Sequence, residues 1–190
     1  MADSEVRAKL TALLQRDALK VGTFTLASGR SSHYYVDGRV VTLSAEGAAL
    51  IGEAVLDALA DLPEVATVGG LTMGADPIVG AVLATAGLRG WTQWKGFLVR
   101  KEAKGHGTKR RIEGPFDPTR PVVIVDDVAT TGGSSLQAVD AVEEEGGRVA
   151  RVVVVLDRLE GASAAFAARG LDFRSLLTIR DLGVEPLPPL

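Results

Sequence analysis

Residues 122–135 read VVIVDDVATTGGSS. Four apolar residues run into two adjacent aspartates, Asp126 and Asp127, and then into Val128, Ala129 and a stretch of Thr, Gly and Ser with nothing bulky in it. A short β-branched run bounded by turn residues predicts a buried strand. The residues after it predict a site at the strand's end. Small residues between a strand and a helix let backbone N–H groups approach a phosphate, and the helix N-terminus adds to the attraction. Thr130, Thr131 and Ser134 supply hydroxyl donors beside Gly132 and Gly133. The two acids need a different explanation, because carboxylates repel phosphates. They suit hydroxyl groups, as acceptors, or a metal ion. A ligand with a phosphate at one end and vicinal hydroxyls a short distance away satisfies both halves, and a ribose 5-phosphate is such a ligand. The commoner nucleotide loops do not fit. A Walker A loop needs a Gly-Lys pair, which the chain lacks, and no G-x-G-x-x-G is present.

Working outward, strands and helices alternate. Residues 4–19 have Val6, Leu10, Leu13 and Leu14 at helical spacing, with Ser4 as a candidate N-cap. FTLASGRSSHYYVDGR (24–39) reads as two short β segments around a Ser/Gly turn, with His33 as a turn residue. Helices are expected at 44–62, capped by Ser44, at 76–87 with Pro77 in the first turn and a closing Gly, at 135–147 and at 160–170. Strands are expected at 65–71, 97–102, 121–128 and 148–158. These strands are continuous apolar runs, the mark of a parallel sheet covered on both faces. The expected fold class is therefore α/β, a mainly parallel sheet flanked by helices. In open α/β sheets ligands bind beyond the carboxyl ends of the strands. Asp126-Asp127, Arg100-Lys101 and Asp157-Arg158 all fall at such ends. Trp91 and Trp94 precede a strand and read as core or interface.

Length and composition restrict the function. A chain of 190 residues is one domain of ordinary size. At net charge −3 it has no general basic surface for nucleic acid or a membrane. It has no cysteine, hence no thiol chemistry. Its first residues do not read as a signal peptide and no apolar run is long enough to span a bilayer, so a cytoplasmic location is expected. Positive charge is instead local. Residues 100–111 carry Arg100, Lys101, Lys104, Lys109, Arg110, Arg111 and His106 against one acid, Glu102. Gly105 and Gly107 would let this segment fold over a ligand, and His106 could donate a proton near neutrality. His33 has no second histidine nearby, and no protein metal site is visible.

VVIVDDVATTGGS resembles the 5-phosphoribosyl 1-diphosphate (PRPP) signature of the type I phosphoribosyltransferases. ALKVGTFTLASGRSSHYYVDGR (18–39), LVRKEAKGHGTKRRIEG (98–114) and VVVLDRLEG (153–161) are similar, in that order, to segments of the orotate phosphoribosyltransferase family. The second has that family's R-K-x-x-K-x-H-G loop. The resemblance implies a single type I phosphoribosyltransferase domain over 1–190. Residues 1–40 would form a small N-terminal hood over the base site, and 100–115 a mobile catalytic loop. It implies transfer of a phosphoribosyl group from PRPP to orotate in UMP synthesis, with Mg2+ held through the diphosphate, by a homodimer with shared active sites.

By the same resemblance Asp126 and Asp127 would hold the ribose hydroxyls. Val128, Ala129, Thr130, Thr131, Gly132, Gly133 and Ser134 would line the phosphate end. Arg100, Lys101, Lys104 and His106 would bind the diphosphate, with Lys104, His106 and Asp127 catalytic. Lys20, Tyr34, Tyr35, Thr130 and Arg158 would lie at the orotate end. Two adjacent strand residues point to opposite faces, so one tyrosine of the pair is expected to wall a base pocket. The loop GGLTMGADP (69–77) departs from the pattern. Met73 or Gly74 stands where some family members carry a lysine, so a diphosphate contact there would come from backbone amides. Asp76 could hold a metal-bound water. A purine or uracil phosphoribosyltransferase would share 121–135 but not the other two segments. A PRPP-sensing regulator would not need the cations of 100–106.

Overall fold

The structure, a computed structural model, describes residues 4–25, 29, 31–102 and 111–188. Helix α1 (Ser4–Leu13) continues through one wider turn at Leu14–Ala18. Strands β1 (Leu19–Thr25) and β2 (Ser31–Val36) then form an antiparallel hairpin. After α2 (Arg39–Thr42) and α3 (Ala45–Ala58) the alternation begins: β3 (Thr67–Leu71), α4 (Asp76–Leu88), β4 (Lys95–Val99) and the two-residue β5 (Ile112–Glu113). It continues with β6 (Pro121–Ala129), α5 (Gly133–Glu144), β7 (Arg148–Asp157), α6 (Ala162–Ala168) and β8 (Phe173–Thr178). The large sheet runs β5-β4-β3-β6-β7-β8, parallel throughout except for β5 at one edge.

Strand β6 shows why this sequence makes a two-faced sheet. Val123 and Val125 enter one core, with Leu10, Ile51, Val55, Ile78 and Val82 from α1, α3 and α4. Val122 and Ile124 enter the other, with Ala138, Val139 and Val142 from α5 and Phe166 from α6. A strand apolar at every position can only be satisfied between two helical layers. Each such Val or Ile contributes about 1.5–3 kcal/mol when fully buried.

Ser44 caps α3 as expected, accepting from the Gly47 N–H at 3.0 Å. At the amino-terminal end of β7, Arg151 (2% exposed) reaches the Ala58 carbonyl at 2.6 Å, Asp61 at 2.7 Å and Asp172 at 2.6 Å. It fastens the end of α3 to β7 and to the start of β8. No described helix is long and apolar enough to cross a membrane.

Several boundaries differ from the sequence reading. The strand expected at 97–102 is Lys95–Val99, which leaves Arg100 and Lys101 just beyond the sheet. Gly87 lies inside α4, and Gly90, at φ +78°, takes the left-handed position after it. His33 is a strand residue of β2, not a turn residue. Strand β8 was not expected. Its mixed sequence FRSLLT suits a half-covered edge, which lacks the apolar run of an inner strand.

Candidate active site

Parallel pairing aligns the carboxyl ends of the strands. Leu71 is level with Val99, and Ala129 with Asp157. Asp126 and Asp127 sit near this edge on β6, one on each face. Asp126 (5% exposed) accepts from the Ser135 hydroxyl at 3.0 Å, while Asp127 is half-buried. Backbone N–H groups hold both carboxylates, Asp127 N–H donating to Asp126 Oδ1 at 3.0 Å and Val128 N–H to Asp127 Oδ1 at 2.8 Å. Burial pushes the Asp126 carboxyl up to about 7, and the neighbouring Asp127 charge adds to it.

Two glycines make room for the pair. A Cβ on Gly74 would fall 2.5 Å from Asp126 Oδ1 and 2.9 Å from Asp127 Oδ1. One on Gly38 would fall 2.9 Å from Val128 Cγ2 and 3.1 Å from Asp127 Oδ2.

The loop after β6 is shaped for a close approach to its backbone. Gly132 has φ +81°, and a Cβ there would lie 2.8 Å from Phe166 Cζ. Only glycine turns the chain this tightly into α5. The first amides of α5 have no intrahelical acceptor and carry the positive end of the helix dipole. Residues 128–135 line a hollow of about 340 Å³ together with Asp126 and Gln137. A second cleft of about 260 Å³ is walled by Tyr35 to Arg39, Leu71 to Gly74, Lys101, Asp126 to Val128 and Ser134. The two share Asp126, Val128 and Ser134, so a donor-rich pocket and a carboxylate-lined cleft adjoin. Among the described residues no cluster of three or more His, Asp or Glu could hold a metal ion. Asp76, beside Met73 in a neighbouring groove, has a buried Oδ1 without a hydrogen bond, and burial raises its carboxyl above the usual range.

At the other end, strand alternation turns Tyr35 outward and Tyr34 inward. Tyr35 lines the cleft, stands opposite Lys20 in the hairpin and packs 5.9 Å from Phe24. Tyr34 is fully buried, and of the pair it is Tyr35 that lines the cleft. Its hydroxyl donates to Glu160 at 2.9 Å, and its ring lies under the Arg158 guanidinium, 4.9 Å from the centroid. Arg158 Nε donates to the Tyr34 hydroxyl at 3.3 Å. Its Nη2 lies 2.7 Å from Glu160 Oε1, close enough for an ion pair, although its N–H groups do not point at the oxygen. Arg158 follows β7 directly and its N–H bonds the Ala129 carbonyl at 2.9 Å, beside the phosphate loop.

Of the expected diphosphate ligands, Lys101 lines the cleft. Arg100 instead turns to Glu113 on β5, at 3.0 Å. Lys104 and His106 lie outside the described residues, as do Lys109 and Arg110. Sequence reading missed Asp37 and Arg39, which pair at 3.0 Å in the cleft wall, along with Thr72 and Glu160. The Asp-Gly-Arg run directly after Tyr34-Tyr35-Val36 was the available signal for the first two.

Comparison with known proteins agrees with this geometry. Residues 117–167 match the phosphoribosyl transferase domain family. The chain is 50% identical over 184 residues to the orotate phosphoribosyltransferase of Rhodopirellula baltica, covering 94% of this chain and 95% of that one. It is 50% identical over 180 residues to the enzyme of the same name from Thermosynechococcus vestitus, covering 94% of each. The crystal structure of Mycobacterium tuberculosis orotate phosphoribosyltransferase in complex with PRPP superposes with a TM-score of 0.80 at 41% identity, over 94% of this chain and 99% of that one. The same protein in complex with Fe(III) dicitrate gives a TM-score of 0.83 at 44% identity, again over 94% and 99%.

Proposed function

The chain belongs to the orotate phosphoribosyltransferase family, and from that premise we propose how its residues divide the work. The reaction transfers the 5-phosphoribosyl group of PRPP to orotate, giving orotidine 5′-monophosphate and diphosphate. The observation that carries the assignment of roles is the adjoining of two unlike hollows at Asp126, Val128 and Ser134. The 5-phosphate takes the loop 130–134, where the amides that open α5 and the hydroxyls of Thr130, Thr131 and Ser134 converge. The ribose hydroxyls take the carboxylates. Asp127, the more open of the two, accepts directly, and Asp126, anchored by Ser135, fixes its neighbour's position.

As the glycosidic carbon becomes cationic, the departing diphosphate gains negative charge. Lys101 faces that end of the cleft; Lys104 and His106 are assigned to the diphosphate with it, and Arg100 joins them by giving up its surface pair with Glu113. Such groups accelerate reaction when they are already in place and water is excluded. Mg2+ would be held mainly through the substrate phosphates and would neutralise diphosphate charge, with Asp76, in the groove beside the cleft, the carboxylate proposed to hold one of its waters. Orotate is assigned to Tyr35, which lines the cleft, and to Lys20 opposite it in the hairpin, together with Thr130 of the adjoining hollow and Arg158, whose N–H bonds the Ala129 carbonyl beside that hollow.

The homodimer expected from the sequence has support beside the cleft. A groove of about 830 Å³ there is lined by Val40, Leu43, Met73 and Pro77, and the first three are 48%, 72% and 67% exposed. Apolar surface of that kind marks an interaction site. Subunits bearing Lys104→Ala mixed with subunits bearing Asp127→Asn should regain part of the activity, and verified mixed dimers that recover none would refute sharing. The reaction itself is tested by product formation from PRPP and Mg2+ with orotate, uracil, hypoxanthine, guanine and adenine. Turnover with orotate alone is expected, and turnover with another base would displace the roles given to Tyr35, Lys20 and Arg158.

A further inference from the structure

Glu160 is the most deeply buried acid near the site, at 1% exposure, and nothing in the roles above uses it. Its Oε1 receives the Tyr34 hydroxyl at 2.9 Å and approaches Arg158 Nη2 at 2.7 Å, while its Oε2 has no hydrogen-bond partner. Tyr34 and Arg158 are themselves 0% and 7% exposed. A buried ion pair is a poor way to gain stability, since apolar residues of similar volume commonly do as well or better. A half-satisfied one is worse still. Its value lies in orientation.

The chain is shaped to form this group. Leu159, between the two charged residues, has φ +60°, a left-handed conformation unfavourable for a side chain that is not glycine. The buried Asp157 carboxylate holds the turn by accepting from the Leu159 N–H at 2.8 Å. The turn sets Arg158 and Glu160 together over Tyr34. Tyr34 in turn belongs to the hairpin that presents Tyr35 and Lys20.

We infer that Glu160 is a positioning residue for orotate: it ties Arg158 to Tyr34, and so aims the strand-end arginine and the hairpin residues at the base as one unit. This rests on the reading that Arg158 contacts orotate. Glu160 touches no substrate in this scheme.

The test compares Glu160→Gln and Tyr34→Phe with Arg158→Gln in steady-state kinetics, varying each substrate in turn and recording thermal stability alongside. Positioning predicts that the first two raise KM for orotate about tenfold while KM for PRPP moves less than twofold, and that Glu160→Asp recovers part of the loss. Each effect should vanish in the Arg158→Gln background. Equal change in both KM values, or a fall in stability with KM for orotate unchanged, would overturn the inference. The failure of the underlying reading is separable. If Arg158→Gln alone leaves KM for orotate unchanged, Arg158 does not contact orotate. If Arg158→Gln raises it and Glu160→Gln does not, Glu160 does not aim it.

Discussion

Substituting Gly74 by alanine tests the geometry of the carboxylate pair with one methyl group. The new Cβ would stand 2.5 Å from Asp126 Oδ1, about 0.9 Å inside the 3.4 Å at which ordinary contact begins. Asp126 cannot simply swing away. Its two oxygens are held at 3.0 Å by the Ser135 hydroxyl and at 3.0 Å by the Asp127 N–H. Overpacking of a filled site costs about 1–3 kcal/mol. If that cost falls on the hold over ribose, kcat/KM for PRPP drops about 5- to 150-fold at 1.36 kcal/mol per decade. A displacement near 1 Å is of the size that misplaces a reacting group. The assay is initial rate against PRPP concentration at saturating orotate. Gly80→Ala is the control, since nothing lies within 4 Å of a Cβ there on α4. That change should raise stability by about 1 kcal/mol through helix propensity alone and leave the kinetics unchanged. A folded Gly74→Ala protein with wild-type kcat/KM for PRPP would refute the claim that the pair must stand where it does.

Burial keeps the Asp126 carboxyl protonated well above its unfolded range, so its contribution to stability is complete below about pH 4 and is lost as the pH rises through about 7. Asp126→Asn cannot ionise, so the ligand-free variant should melt above the wild type at pH 8.5, with the gap closing toward pH 5. A gap that does not vary with pH would contradict the assignment. Arg151→Ala strips the clamp between α3, β7 and β8 at the far end of the sheet. It should cost about 3 kcal/mol in urea denaturation without altering either KM, and a loss under 1 kcal/mol would show that the clamp is not needed.

The sheet and the small-residue turn after β6 were readable because both follow from short-range pattern. Runs such as Val122–Val125 have one sterically satisfactory home, and Thr130–Ser134 can serve little besides a close backbone approach. Proximity across the chain was not readable. Glu160 and Tyr34 are 126 residues apart, and no local feature says that they touch. Alternation in β2 told that the two tyrosines part company, but not which one faces the cleft. Arg100 was grouped with Lys101, and no local feature said that the short strand β5 would bring Glu113 to it at 3.0 Å. Strand β8 escaped notice because an edge strand is selected for only one good face and carries no distinctive pattern.

The pair of acids at the end of β6 also bears on how the chain survives its own synthesis. Strands β6 and β7 carry the segments VVIV and VVVVL, uncharged and β-branched, the composition most prone to stack between molecules. Their native pairing forms slowly. β3, which pairs with β6, lies some fifty residues upstream, and parallel pairing must first close that loop. Until then the runs are protected only by what borders them. Asp126 and Asp127 flank one, and Arg151 and Asp157 flank the other, as charges that a cross-β stack would have to bury. The side chains proposed to receive a ribose would thus serve earlier as gatekeepers, placing charge beside an aggregation-prone strand until its sheet has formed.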